Sequence, residues 1–339
     1  MRKFLKILIA LQVILLILVV ILMFISPKKM ALVESITIDA PANMIYNQVI
    51  DFKKWNSWSP WSKLDSNAIF TYSKRSSGVG ARYSWKGNAD IGEGSQKILG
   101  TDPNKSINTS LEFNGMSGTS LSNWTFEPLG DKTKVTWDFD GAESGFVFRP
   151  FNLIFKPGLK RKYREGLNAI KAIVEKRALE KIYKGFKINT IELPEKHYLA
   201  IRQEIDFNNL QQFYSKNLPS LFNKISVAGI QTDGMPGGLF YKWDESNGTT
   251  DMAASVPVKQ AVEVAGASLQ TIPAGPALQI DYYGDYEGSI KAHYAMEEYM
   301  EDFGLLNNVP IVEEYVTDPT IEKDPNKWLT KITYYLAAN

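Results

Sequence analysis

The stretch ESITIDAPANMIYNQVIDFKKWNSWSPW, Glu34 to Trp61, decides the fold. Its opening part, within Leu32–Ala40, alternates apolar and polar side chains, the period-2 pattern of a half-buried strand. Ala40-Pro41 then starts a helix, with proline in the first turn, where a backbone N–H has no helical acceptor to lose. Ile45, Val49 and Phe52 recur at helical spacing. Trp55, Trp58 and Trp61 follow at once, three indoles in seven residues, set among serine, asparagine and proline. This cluster reads as a loop that packs over the sheet, with contact at a pocket rim or a membrane interface as the alternatives.

Downstream, short alternating runs are separated by glycine, Asn-Lys or Asp-Lys turns: AIFTYSKR, ARYSWKG, EGSQKILG, SINTSLEF, LSNWTFEPL and TKVTWDFDG. Gly78, Gly80, Gly92 and Gly94 fit bends in such a sheet. Pro157-Gly158 leads into a long helix with Leu167, Ile170, Val174, Ala178 and Ile182 as its apolar stripe. One strand, one helix, many antiparallel strands and a long closing helix define an α+β domain, a curved sheet wrapped on a helix. Sheet and helix together enclose an apolar cavity. Tyr72, Trp85 and Trp124 alternate on its strands and either line that cavity, with Trp58 and Trp61, or pack the core.

The residues ESITIDAPANMIYNQVIDFKKWNSWSPW, GVGARYSWKGNADIGEGSQKIL and TKVTWDFDG resemble the START/polyketide-cyclase-like (SRPBCC) superfamily over about residues 33 to 180. The W-x-x-W-S-P-W and G-x-G-x-x-Y-x-W elements carry most of the resemblance. It implies a helix-grip fold with a deep ligand cavity. Members bind lipids, move hydrophobic molecules or cyclise polyketides, so no single activity is implied.

The second half repeats itself. HYLAIRQEI is a strand, Asn209–Ile225 a helix interrupted by Pro219, and GLFYKWDE and TDMAASVPV are strands. Some 80 residues on, ALQIDYYGDY is a strand, Ser289–Phe303 a helix closed by Gly304, and PIVEEYV and WLTKITYYL are strands. Two tandem βαββ units predict a pseudo-twofold sheet with a central cleft. The paired VPV and YYL strand ends, YYGDY and EEYVTDP resemble the gyrase-inhibitor-like, or AraC-type effector-binding, domain over about residues 188 to 338. That resemblance implies a cleft for hydrophobic, often cationic molecules, lined by aromatics and holding a buried acid. Tyr241, Trp243, Tyr283, Tyr286 and Trp328 either form its aromatic wall or pack the sheet. Where relatives place a glutamate on the last strand, this chain has Lys331, which repels a cation and cannot act as a carboxylate base.

The amino-terminal end is different in kind. Ile7–Ile25 is apolar except for Gln12, and as a helix it spans about 28 Å, close to the thickness of a bilayer core. Met23, Phe24 and Ile25 are too large for a signal cleavage site, so residues 1–29 read as an uncleaved single-span anchor. Arg2, Lys3 and Lys6 precede it and Lys28 and Lys29 follow, which places the N-terminus inside. The expected domains are therefore an anchor at 1–29, an SRPBCC domain at 30–185 and an effector-binding domain at 186–339.

Several function classes fall away. With no cysteine, disulfides, thiolate metal sites and cysteine nucleophiles are impossible. His197 and His293 are the only histidines, too few for a histidine-rich metal centre. GVGARY lacks the third glycine of a nucleotide loop. Residues 156–187 hold eleven basic and three acidic side chains, a balance of +8, but no helix-turn-helix partner for DNA. Residues 188–339 balance this with ten basic and 21 acidic side chains. The expectation is a membrane-anchored protein that binds small hydrophobic ligands, with no cofactor, metal, nucleic acid or assigned catalytic residue. A hydrolase or cyclase, and an envelope scaffold with collapsed cavities, are the alternatives.

Overall fold

The computed structural model describes residues 2–337, so Met1, Ala338 and Asn339 of the expected domain ranges lie outside the described residues. The chain divides into two compact units after Leu179.

In the first unit α1, Arg2–Ile25, is long and apolar enough to cross a bilayer, and the side chains of its span Phe4–Ile25 are unburied. β1 (Ala31–Ile38) and α2 (Ala42–Val49) follow, then a 3-10 turn over Phe52–Ser57. The six strands β2 (Ile69–Tyr72), β3 (Arg82–Lys86), β4 (Glu93–Asp102), β5 (Ser106–Phe113), β6 (Ser120–Leu129) and β7 (Lys132–Asp140) form an antiparallel meander. β1 closes the sheet beside β7, from Ala31 opposite Asp140 to Ile38 opposite Thr133. α3, Arg149–Glu180, lies on the sheet through Tyr163, Leu167, Ile170 and Val174, spaced three and four apart on one face. Gly166 is required there, because a Cβ would stand 2.9 Å from Trp137 Cζ3.

α3 starts well before Pro157-Gly158, where the sequence placed its beginning. It runs through Pro157 and ends at Glu180, so Ile182 is not part of its stripe. The α+β reading of this unit holds.

The second unit begins with a two-stranded hairpin, β8 (Ile182–Tyr183) and β9 (Phe186–Lys187). Tyr183 is buried in the core of this unit and donates to Asp302 at 2.9 Å. One βαββ module comprises β11 (Lys196–Asp206), α4 (Leu210–Val227), β12 (Gly237–Asp244) and β13 (Thr249–Val258). The other comprises β15 (Gly275–Tyr283), α5 (Ile290–Phe303), β16 (Ile311–Tyr315) and β17 (Leu329–Tyr335). Two strands not foreseen, β10 (Asn189–Leu193) and β14 (Ser268–Ile272), sit at the outer edges of the eight-stranded sheet, order β10-β15-β17-β16-β12-β13-β11-β14. The modules join at the centre, where β16 pairs with β12 and Glu313 faces Gly238. α4 continues past Pro219, an exposed position. α4 packs on Leu199, Met252, Ala254 and Val256, and α5 on Leu278, Ile280 and Ile332.

Candidate functional sites

The first unit encloses a cavity of about 940 Å3 between the sheet and α3. Trp61, Phe70, Tyr83, Trp85, Leu111 and Phe113 supply much of its apolar wall. Alternation builds that wall, since residues two apart on a strand share a face. The cavity is open, not collapsed.

Two of its interior polar groups, Gln96 and Ser122, already have side-chain partners. Gln96 donates to Thr109 Oγ1 at 2.8 Å. Ser122 Oγ accepts from Trp137 Nε1 at 2.8 Å and lies 3.3 Å from Tyr163 Oη. Burial pushes the Tyr83 and Tyr163 phenols well above the usual tyrosine range, so both stay neutral. The charged residues of the lining, Asp90, Glu143, Arg161 and Lys162, occupy exposed or half-buried positions.

The five aromatics expected here divide. Trp61 and Trp85 line the cavity, and Trp85 Nε1 donates to Ile91 O at 3.0 Å. Trp58 and Trp124 do not line it. Both are fully buried and meet edge to face at 5.7 Å, while Trp124 stacks on Trp137 at 4.2 Å. They form the packed layer behind the wall. Tyr72 is also off the lining and accepts from Asn56 Nδ2 at 3.0 Å. Thus WNSWSPW is mostly a packing element, and only its first and last indoles, Trp55 and Trp61, touch the cavity.

The sequence reading missed part of the rim altogether. Phe148, just before α3, and Phe151 and Phe155, at its start, line the cavity together with Met30 just after α1. Their spacing of three and four residues was the available signal.

In the second unit, Glu313 lies at the floor between α4 and α5 and is only 7% exposed. His293 Nε2 of α5 lies 2.7 Å from Glu313 Oε1, and His293 Nδ1 lies 2.9 Å from Tyr334 Oη. Tyr315 donates to Glu313 Oε2 at 3.0 Å, and its hydroxyl lies 2.9 Å from that of Tyr214 on α4. An ionised carboxylate only accepts. Tyr315 has one hydroxyl proton, so it donates to only one of Glu313 and Tyr214 at a time. Burial holds the Tyr214 and Tyr315 phenols in the protonated form, far above their usual range. Gly238 makes the arrangement possible: a Cβ there would stand 2.2 Å from Tyr214 Oη.

Two of the five expected wall residues reach this cluster. Tyr286 packs on Tyr315 at 5.1 Å and on Trp328 at 5.3 Å. Trp243 instead stacks on Phe207 at 4.1 Å at the end of β12. Tyr241 sits under Arg202 at 3.6 Å, and its hydroxyl donates to Gln270. Tyr283 points away from α5 and is exposed.

Lys331 does not stand in for the missing acid. On β17 Ile332 and Tyr334 face α5, so Lys331 falls on the opposite face, in register with Asp281 and Glu314. The buried acid is present after all, one strand over, as Glu313. A small void among Tyr198, Gly237, Ser255 and Val312 has roughly 10 Å3, about the space of one water. Tyr315, bonded to Glu313, packs on Tyr286, which packs on Trp328.

Residues 29–175 match the family described as polyketide cyclase/dehydrase and lipid transport, and residues 186–334 match the GyrI-like small molecule binding domain. No curated protein matches the chain significantly. Among solved structures, the EcmrR C-terminal domain is 20% identical, covers 45% of this chain and 99% of its own, and has a TM-score of 0.41. The Zhui aromatase/cyclase of a Streptomyces species is 15% identical, covers 44% and 96%, and has a TM-score of 0.35. A hydrolase from Listeria innocua is 16% identical, covers 48% and 97%, and has a TM-score of 0.33.

Proposed function

Because the chain joins a polyketide-cyclase-like (SRPBCC) domain to a GyrI-like small-molecule-binding domain, we propose that it is a membrane-anchored binding protein for small hydrophobic molecules. It senses, sequesters or hands on its ligand. The carrying observation is the aromatic-walled cavity of about 940 Å3, near the upper end of small-molecule sites at about 300–1,000 Å3. Its wall is mostly aromatic and aliphatic, so apolar surface supplies most of the affinity, at about 25 cal/mol per Å2 removed from water. We assign Trp61 and Trp85 to ligand contact, with Phe70, Tyr83 and Phe113 beside them. α1 is the tether, with the N-terminus on the cytoplasmic side because more basic residues precede its apolar stretch Ile7–Ile25 than follow it.

In the second domain Glu313 is the counter-ion for a ligand carrying a cationic centre, and Tyr286 and Trp328 are its aromatic walls. Such a ligand enters by displacing these rings. The reading is tested with the full chain in nanodiscs, titrated with the fluorescent apolar probe N-phenyl-naphthylamine. Leu111→Trp, which narrows the cavity, should weaken saturable binding to the first domain. Equal titration of both forms would overturn the assignment.

A hydrolase acting on a hydrophobic substrate is the second reading. It draws on the Glu313–His293 contact, an acid and an imidazole in hydrogen bond within a half-buried site. Turnover of a naphthyl ester that Glu313→Gln abolishes would establish it.

A further inference from the structure

The sequence Phe146-Val-Phe-Arg-Pro-Phe-Asn-Leu-Ile-Phe155 carries eight apolar residues in ten, and most of them are open to solvent. Phe148 and Ile154 are each 64% exposed, with Val147, Phe151, Leu153 and Phe155 alongside. A helix start that is apolar nearly all round is normally buried in a core or in lipid, and exposed apolar patches of this kind mark interaction surfaces.

Its position identifies the occupant. Phe146 meets Phe24, in the last turn of α1, edge to face at 5.0 Å. Asn152, the buried polar residue of the segment, donates to Pro27 O at 2.9 Å and accepts from Ser144 Oγ at 3.0 Å. Ser144 N donates to Lys28 O, and Gly141 N to Met30 O, both at 2.8 Å. The patch is thus fastened beside the end of α1, at the level where that helix would leave a bilayer. The next turns bring Lys156, Lys160, Arg161, Lys162 and Arg164 before the first acid, Glu165. Among the described residues Lys156 makes no ion pair. An apolar face followed by basic charge matches the acyl boundary and anionic head groups of a membrane surface.

We propose that Phe146–Phe155 is a second membrane contact, lying in the head-group boundary beside the anchor and seating the mouth of the first cavity on the bilayer. This rests on α1 spanning the membrane. Phe148, Phe151 and Phe155 belong to both the patch and the cavity lining. An apolar ligand therefore passes between lipid and cavity along these rings without crossing water.

The absence of cysteine allows unique labelling. Spin labels are placed in the full chain at Ile14→Cys, Phe151→Cys, Ile154→Cys and Leu129→Cys, in nanodiscs of phosphatidylcholine with a minority of phosphatidylglycerol. Leu129 lies at the far end of β6 and serves as the aqueous reference. Accessibility to oxygen and to a water-soluble nickel chelate is compared. Labels at Phe151 and Ile154 should favour oxygen, as at Ile14, with the ratio reversed at Leu129. Nickel accessibility at Phe151 and Ile154 equal to Leu129, while Ile14 reads lipid, overturns the proposal and leaves the anchor standing. Nickel accessibility at Ile14 overturns the anchor and the proposal together.

Discussion

Glu313 Oε1 lies 2.7 Å from His293 Nε2, the shortest link in a chain of side chains that ties α4, β16, α5 and β17 together. From Tyr334 through His293, Glu313 and Tyr315 to Tyr214, the hydrogen-bonded contacts run without a break. The centre of the pseudo-twofold sheet is thereby satisfied by side chains from both βαββ modules.

His293→Ala removes one donor from a buried carboxylate and one partner from Tyr334. We expect a loss of about 1–3 kcal/mol in unfolding free energy, the scale of an unsatisfied buried group. In Glu313→Gln the same histidine substitution should be markedly less damaging, because the charge it served is gone. Urea denaturation of the four forms gives the coupling, and additivity would show that the pair does not interact.

Glu34 joins β1 to α3. Arg164 Nε donates to Glu34 Oε2 at 2.7 Å, and Lys160 Nζ lies 3.1 Å from Oε1. Burial alone raises the Glu34 pKa, but the hydrogen bonds and charges of Arg164 and Lys160 outweigh it and hold the carboxyl below its usual range. A depressed folded value means that the contribution is complete above the unfolded pKa of about 4.3 and is lost as pH falls through the folded value. Glu34→Gln should cost about 1–2 kcal/mol at neutral pH, tempered by the exposure of both cations. The gap to the parent protein should close in acid. A gap independent of pH would refute the charge-based account.

The tryptophan layer offers a contrast. Trp55 Nε1 donates to Val49 O at 2.7 Å, whereas Trp58 Nε1 is buried without a partner. Both indoles are packed, so replacement by phenylalanine leaves a void in either case. Trp55→Phe additionally orphans a carbonyl, while Trp58→Phe removes an unsatisfied donor. Thermal unfolding should show Trp55→Phe to be the more damaging by about 1 kcal/mol or more. The reverse order would contradict the hydrogen-bond assignment.

Much of this architecture was legible because its signals are local and periodic. The alternation in LSNWTFEPL and TKVTWDFDG placed β6 and β7, and the repeat of βαββ placed the second sheet. What failed depends on register and tertiary packing. Glu313 and Glu314 are adjacent acids, and only the pairing of β16 with β12 and β17 decides which one faces the helices. The same alternation sends Lys331 to the far face. Trp58 and Trp61 differ by three residues in one motif, yet one is core and the other cavity wall. Phe146–Phe155 escaped because Pro157-Gly158 reads as a helix start, whereas α3 continues through it.

The most direct test of the central claim is native mass spectrometry of the full chain released from nanodiscs, before and after organic extraction. We predict an apolar molecule retained on the protein, removed by extraction and diminished in Leu111→Trp. A retained mass identical in the parent and in Leu111→Trp, or no uptake of any hydrophobic compound after extraction, would contradict the account.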